Sequence, residues 1–411
     1  MNFLTKCIKA YRDVNLMLRI LIGLIIGAVL GLTVSDLTFI TILGKLFVGA
    51  LKAMAPVLVA LLVMSSIAKA GGGLGKRFRT VIILYMSSTL IAAVVAVFAS
   101  RIFPISLILP SSDVSEAAPS ELGDVFLALA GDLMSNPVSA VSSATYLSIL
   151  FWAIIVGLAL KQKASDATLS VINELANSVT LVVHWIIHCA PFGIMGLVYA
   201  SVSESGLEIF TTYGKLVMLL VGCMLTTSLI INPIISCLML RRNSYPLLWK
   251  CLKDSAVSAF FTRSSAANLP VNMSLCDRLG LSKDFYSVSI PLGCTINMDG
   301  AAVTITVMTL ATCSTMGVDV SLGSALVLSI LATFAACGAS GVAGGSLLLI
   351  PMACSLFGIS QDISMQVVAV GFIIGVIQDS VETALNSSGD VFFTATADFY
   401  DRQKKGEKIS F

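Results

Sequence analysis

The sequence predicts an all-α polytopic membrane protein, with eight transmembrane helices and two re-entrant helical hairpins in inverted repeats. Three observations carry that expectation. Hydrophobic residues make up 57% and charged residues 12% of the 411 positions, with a mean hydropathy of +0.96; soluble domains are about 45–50% apolar and about 25% charged. Lysine and arginine cluster at 6–19, 69–79, 161–163, 241–253 and 402–408. The connections at 104–142 and 201–212 instead carry acids (Asp113, Glu116, Glu121, Asp124, Asp132, Glu204, Glu208) and neither lysine nor arginine. Finally, two of the last four apolar segments are broken near their middles by small and polar residues.

A spanning helix needs about 20 mostly apolar residues, and the first is expected over 16–34. The preceding "MNFLTKCIKAYRDVNLMLR" has the charge of a signal n-region, but no small-residue cleavage site follows, so this helix is read as retained. Further helices are expected near 46–68, 80–103, 144–160, 171–200 and 213–240. Cytoplasmic connections are rich in lysine and arginine, which places both termini in the cytoplasm and requires an even number of crossings.

Four segments remain, at 245–276, 284–316, 322–358 and 361–397. "FFTRSSAANLP" (260–270) and "CGASGVAGGS" (337–346) interrupt the first and third. Broken backbone is tolerated at membrane depth only where protein or water satisfies its N–H and C=O groups, and paired interruptions mark the site of inverted-repeat transporters. The first and third segments are therefore read as hairpins. One enters from the cytoplasm with its tip around Ser264–Ser265, and the other from outside with its tip around Gly341–Gly345.

Buried acids follow each hairpin. "TINMDGAAV" (295–303) sets Asn297 two residues from Asp299, in a stretch from Val288 to Met316 that holds no lysine or arginine. Two residues span about 200° of an ideal helix, so this pair serves one site only if the helix unwinds, which Gly300 would permit. "GVIQDSVETALNSSGD" spaces Asp379, Thr383, Asn386 and Asp390 by four, three and four residues, a single polar stripe with Glu382 at its edge. A carboxylate at the bilayer centre costs about 2.5–3.5 kcal/mol on the insertion scale, so Asp299, Asp379, Glu382 and Asp390 together cost on the order of 10 kcal/mol without compensation. Arg263 is the one cation nearby in the hairpin segments. Hard monovalent cations, held by carboxylate, amide and backbone oxygens, fit that deficit. The opposing reading is a polar network that glues helices together, or acids that are protonated.

Other features carry less. Tyr85, Ser88 and Thr89 in "ILYMSST" read by themselves as helix-packing hydroxyls. "HWIIH" puts His184 and His188 on one helix face without a third ligand nearby. "KAGGGLGKR" lacks the spacing of a phosphate loop and follows no strand. The ten cysteines include no C-x-x-C pair and read as small core residues.

"TRSSAANLP", "LGCTINMDG", "GASGVAGGS" and "QDSVETALNSSGD", in this order, resemble the dicarboxylate/amino acid:cation symporters, the glutamate-transporter fold. The fuller strings "FFTRSSAANLPVNM", "ASGVAGGSLLLIPMAC" and "ETALNSS" are most similar to the serine/threonine:sodium branch of that family. The resemblance implies a homotrimer in which scaffold helices (14–72 and 120–201) hold a mobile transport domain (77–107 and 211–400). It implies sodium as the transported coupling ion. One sodium would lie at Asn297, Asn386, Asp390 and the Gly293 carbonyl, a second at Asp299 with Tyr85, Ser88 and Thr89, and another at Thr295 with the outer hairpin tip. For the substrate, Asp379 matches the residue that holds the α-ammonium, and Asn386 and Ser265 match those near the α-carboxylate. Arg263, Ser264, Val342, Ser346, Glu382 and Thr383 complete the implied pocket.

Three departures from the family pattern matter. Glu382 stands where members that take acidic substrates carry an arginine, Ala301 replaces a threonine, and Ala343 replaces a proline at the outer tip. A carboxylate at 382 repels an acidic side chain, and Arg263 is the expected partner that neutralises it. The expected activity is sodium-coupled import of serine and threonine by an elevator-type mechanism across a bacterial inner (plasma) membrane. The partners are then the amino acid, the lipid bilayer and two further copies of the chain, with no nucleic acid. Competing readings are a proton- or sodium-coupled symporter for another small neutral amino acid or a dicarboxylate, and a channel, whose pore would be lined by repeated rings. An enzyme is disfavoured because no nucleophile–base pair or metal motif is present.

Overall fold

The computed structural model describes residue 14 and residues 16–34, 37–69, 76–109, 135–206, 208–337, 339, 344–407 and 409. Asp113, Glu116, Glu121, Asp124, Asp132, Val342 and Ala343 lie outside the described residues, as do the outermost positions of the outer tip. Among the described residues the regular structure is entirely helical. Six helical stretches are long and apolar enough to cross a membrane: Phe39–Ser65, Arg77–Ile102, Asp166–His188, Phe210–Leu240, Lys283–Thr315 and Gln361–Lys404. The chain is a multi-pass membrane protein.

The first group of helices is α1 (Leu16–Thr33), α2 (Thr38–Lys69), α4 (Tyr146–Lys163), α5 (Asp166–His188) and α6 (Ala190–Ser205). α1 lies along α6, and α2 packs against α4, α5 and α6. The α1–α6 contact is made backbone to backbone: a Cβ on Gly23 or Gly27 would sit 2.2 Å or 2.4 Å from the carbonyl oxygens of Pro191 and Met195. Small residues at such intervals let helices associate by van der Waals contact where no hydrophobic drive exists. The single helix expected over 171–200 is two helices, because the chain turns at Cys189 and restarts with Pro191 in the first turn of α6. Proline lacks the N–H that would continue α5.

The second group begins with α3 (Lys76–Ile102) and resumes with α7 (Glu208–Thr226). A π-helical turn, Thr227–Ile231, leads into α8 (Asn232–Leu240). α9 (Tyr245–Cys251) follows, then a first helix–break–helix unit, α10 (Val257–Thr262) and α11 (Ser265–Arg278). α12 (Lys283–Ile296) and α13 (Asp299–Thr315) are separated by the unwound Asn297–Met298. A second broken unit joins α14 (Leu322–Ala336) to a 3₁₀ turn, Ser346–Leu349, and α15 (Ile350–Ser355). The 44-residue α16 (Gln361–Lys404) runs through the centre, against α3, α7, α10, α11, α12 and α13.

The two broken units come from opposite ends. Arg402, near the C-terminus of α16, donates to the carbonyl of Gly280 at the base of the first unit. Arg101, at the far end of α3, donates to the carbonyl of Val320 at the base of the second. At the first of these ends Asp398 is buried between Arg77 at 2.8 Å and Arg402 at 2.8 Å, tying the start of α3 to α16.

Candidate substrate and ion site

The break in each unit is shaped by a residue in the left-handed region. Arg263, at φ 51°, ends α10, and Ser264 caps α11 by accepting the N–H of Ala267 at 3.2 Å. In the second unit Gly344 has φ 73°, and a Cβ there would meet Phe372 at 2.8 Å. Glycine satisfies both demands.

The breaks converge on one carboxylate. Asp379 Oδ2 accepts from Arg263 Nε at 2.7 Å, and its Oδ1 accepts from the backbone N–H of Gly344 at 3.1 Å. Arg263 therefore pairs with Asp379 and not, as expected, with Glu382. The carboxylate of Glu382 is served by neutral donors instead: Oε2 accepts from Thr304 Oγ1 at 2.7 Å, Ser346 Oγ at 2.9 Å and Gln378 Nε2 at 2.5 Å. With that oxygen engaged, the left-handed turn at the tip delivers the guanidinium one helical turn earlier on α16, at Asp379.

Gly300 also differs from its expected role. The unwinding falls at Asn297 and Met298, while Gly300 lies in the first turn of α13. Its contribution is proximity: a Cβ would lie 2.9 Å from Cα and 3.0 Å from Cγ of Glu382. With no side chain on Gly300, α13 and α16 touch at this point, and Thr304, one turn on, reaches Glu382.

The unwound residues bring Asn297 and Asp299 into adjacent polar sites. Asp299 Oδ1 accepts from Ser88 at 2.7 Å and Thr89 at 3.1 Å, and its Oδ2 accepts from Asn232 at 2.8 Å. As the first residue of α13, Asp299 also faces the favourable end of the helix dipole. Asn297 Nδ2 donates to Asp390 Oδ1 at 3.0 Å and to the carbonyl of Asn386 at 3.2 Å. Ser88 Oγ, 3.4 Å from Asn297 Oδ1, links the two. Asn386 Oδ1 accepts the N–H of Gly300 at 2.8 Å. Gly293 abuts the Asp390 carboxylate, since a Cβ there would come within 2.8 Å of Oδ1.

Not every expected residue joins these clusters. The Tyr85 hydroxyl lies beside Asp390, 3.1 Å from its carbonyl and 2.8 Å from Thr394 Oγ1, apart from Asp299. The Thr295 hydroxyl turns back onto its own helix at the Leu292 carbonyl, 2.8 Å away. Ser265 and Thr383 are buried, and Val342 is outside the described residues.

The charge balance discriminates among the acids. Arg263 answers Asp379, leaving Asp299, Glu382 and Asp390 with neutral donors alone among the described residues. Hydrogen bonds to a charged group contribute about 1.5–3 kcal/mol each. Asp299 and Glu382 receive three apiece. Asp390 receives one on Oδ1, and its buried Oδ2 has no partner among the described residues. A carboxylate oxygen is a hard donor of the kind that holds a monovalent cation, and this one is buried and unengaged among the described residues.

Sequence reasoning missed Thr304, Gln378, Asn232 and a buried cluster in which Asn268 and Asn272 donate to Ser387 at 2.9 Å and 3.0 Å. The spacing offered a partial signal: Gln378 lies one turn before Glu382, and Thr304 one turn after Gly300.

The sequence matches the Sodium:dicarboxylate symporter family over residues 16–399. It is 52% identical to a serine/threonine transporter SstT of Bifidobacterium adolescentis, covering 100% of this chain and 96% of the relative. It is 51% identical to the protein of that name from Streptococcus thermophilus, over 96% of this chain and 98% of the relative. The Enterococcus faecalis protein of the same name is 50% identical over 98% and 96% respectively. These likenesses indicate a transporter and not an enzyme. With four-fifths or more of its length matched both to the family and to these relatives, the chain belongs to the Sodium:dicarboxylate symporter family.

Proposed function

We propose that the protein is a sodium-coupled symporter that imports serine and threonine across a bacterial inner membrane. The observation that carries the proposal is Asp390, a fully enclosed carboxylate with one neutral donor and, among the described residues, no partner on Oδ2. A bound sodium ion supplies the missing positive charge there. Asp299, with two hydroxyls on one oxygen, supplies a second ion position.

The amino acid enters between the hairpin tips. Its ammonium takes the place of the Arg263 guanidinium on Asp379, which frees the arginine for the substrate's carboxylate or for the pocket wall. Glu382 borders the side-chain end and disfavours aspartate and glutamate, while the hydroxyls of Thr304 and Ser346 around it suit a substrate hydroxyl. The names of the relatives support this substrate class.

The grouping of contacts supports a scaffold formed by α1, α2, α4, α5 and α6, with a mobile unit formed by α3 and everything from α7 onward. Elevator-type movement of that unit, a homotrimer and cytoplasmic termini complete the proposal. The test is uptake of radiolabelled serine into proteoliposomes with and without an inward sodium gradient. Uptake that is indifferent to sodium, or driven equally by a proton gradient alone, would reject sodium coupling.

A further inference from the structure

The residue that reaches Asp299 from outside α3 and α13 is Asn232, and the local backbone explains how it gets there. The π-helical turn Thr227–Ile231 comes immediately before it, and Pro233 comes immediately after. Pro233 has no N–H to give to the carbonyl four residues earlier. That carbonyl, on Leu229, accepts instead from the hydroxyl of Tyr245 at 3.1 Å. The extra residue of a π turn advances the side chains that follow by about 100°, and such turns occur frequently at functional sites. Here the advance brings Asn232 inward, where it is 4% exposed.

In the absence of an ion, its amide orientation is set by Asp299. Nδ2 donates to Asp299 Oδ2 at 2.8 Å, and an amide oxygen could not replace it there, because both atoms would be acceptors. The other end of the amide, Oδ1, is buried and accepts no hydrogen bond among the described residues. A buried acceptor without a donor is unfavourable, so this oxygen has lone pairs free to give to a ligand.

We propose that Asn232 is a sodium ligand, contributed by α8 to the ion position at Asp299. The inference rests on the sodium-symport reading above. A cation that binds Asp299 displaces the amide N–H from Oδ2. A half-turn of the amide then presents Oδ1 to the same ion, beside the carboxylate and the hydroxyls of Ser88 and Thr89. One carboxylate and three neutral oxygens balance a single positive charge, which matches a monovalent ion. The N–H thus occupies the carboxylate until the ion arrives, and α3, α8 and α13 close together around it.

The test is binding of radiolabelled sodium to the purified full-length protein without amino acid. Wild type should bind saturably. Asn232→Leu, similar in volume but without polar atoms, should weaken sodium binding by roughly 10–100-fold, the range usual when a metal's supporting ligand is lost. Asn232→Asp keeps an oxygen and loses the donor, and it should bind sodium more tightly than the leucine variant, which has no oxygen to give. Asn232→Ala replaces Asn232→Leu if the latter does not fold. Wild-type binding in the leucine or alanine variant overturns the proposal. So does an aspartate variant as weak as the leucine variant, since that would make Asn232 a donor alone. Absence of saturable binding in wild type would instead reject the sodium reading itself, and this inference with it.

Discussion

Arg263 and Asp379 form a 2.7 Å ion pair that fastens the break of the first helix–break–helix unit to the middle of α16, and the same carboxylate holds Gly344 of the second unit through its other oxygen. Both breaks therefore depend on one side chain that is 3% exposed. Whatever displaces the guanidinium also alters how the two hairpins meet.

Removing one member of a buried pair destabilises by about 3–5 kcal/mol, largely because the other charge is stranded. The partial exposure of Arg263, 13%, places this pair toward the lower end. Asp379→Asn should lower the thermal unfolding temperature and abolish serine uptake. Arg263→Met combined with Asp379→Leu should recover most of the stability and none of the uptake. A double variant as unstable as the single one would show that the pair does not account for the loss.

Asp390→Asn should raise the sodium concentration needed for half-maximal serine uptake by roughly tenfold or more, the scale of losing a metal-site ligand. The order in which serine, threonine and alanine compete should stay unchanged, because the pocket around Asp379 and Glu382 is intact. Sodium titrations of uptake at fixed serine measure this, and an unaltered titration curve would remove Asp390 from the ion site.

Gly300→Ala places a methyl group 2.9 Å from the backbone of Glu382. Overpacking of this kind costs about 1–3 kcal/mol. The strain falls on the helix contact that sets Thr304 against Glu382, so the KM for serine should rise with the loss of stability. Thermal unfolding and uptake kinetics on one preparation check both. A stable variant with an unchanged KM would mean that α13 and α16 can separate freely.

Glu382→Arg should abolish serine uptake without producing aspartate uptake. The new cation would lie near Arg263 and would leave Thr304, Ser346 and Gln378 without their shared acceptor. Wild type should be inhibited by excess threonine and not by excess aspartate. Equal inhibition by the two would dismiss Glu382 as the side-chain filter.

The sequence made the architecture readable where it broke its own pattern. Arg263–Ser264 and Gly344 stood out because an apolar run does not ordinarily tolerate them, and the stripe from Asp379 to Asp390 followed from helical spacing alone. Pairings across the molecule were harder. Arg263 was near two acids three residues apart in the sequence, and the choice between them depended on Gln378 and Thr304 already serving Glu382. Asn232 was invisible for a different reason: an unbroken α-helix from 208 to 240 would aim it elsewhere, and only the inserted turn before Pro233 redirects it. Gly300 was read as a hinge because glycine permits unwinding, whereas its neighbours require it to be thin.

The length of α16 has a mechanical consequence. At about 1.5 Å per residue, the 19 positions from Asp379 to Asp398 span about 28 Å without a break. A rod of that length is a lever: a tilt of about 5° at the substrate end moves the Asp398 end by about 2.5 Å. Arg77 of α3 grips that far end, so a change in lever angle at the Asp379 end would shift the Arg77–Asp398 contact. A spectroscopic probe at Gln403, which donates to the Leu240 carbonyl at 3.1 Å, would register such a change in angle.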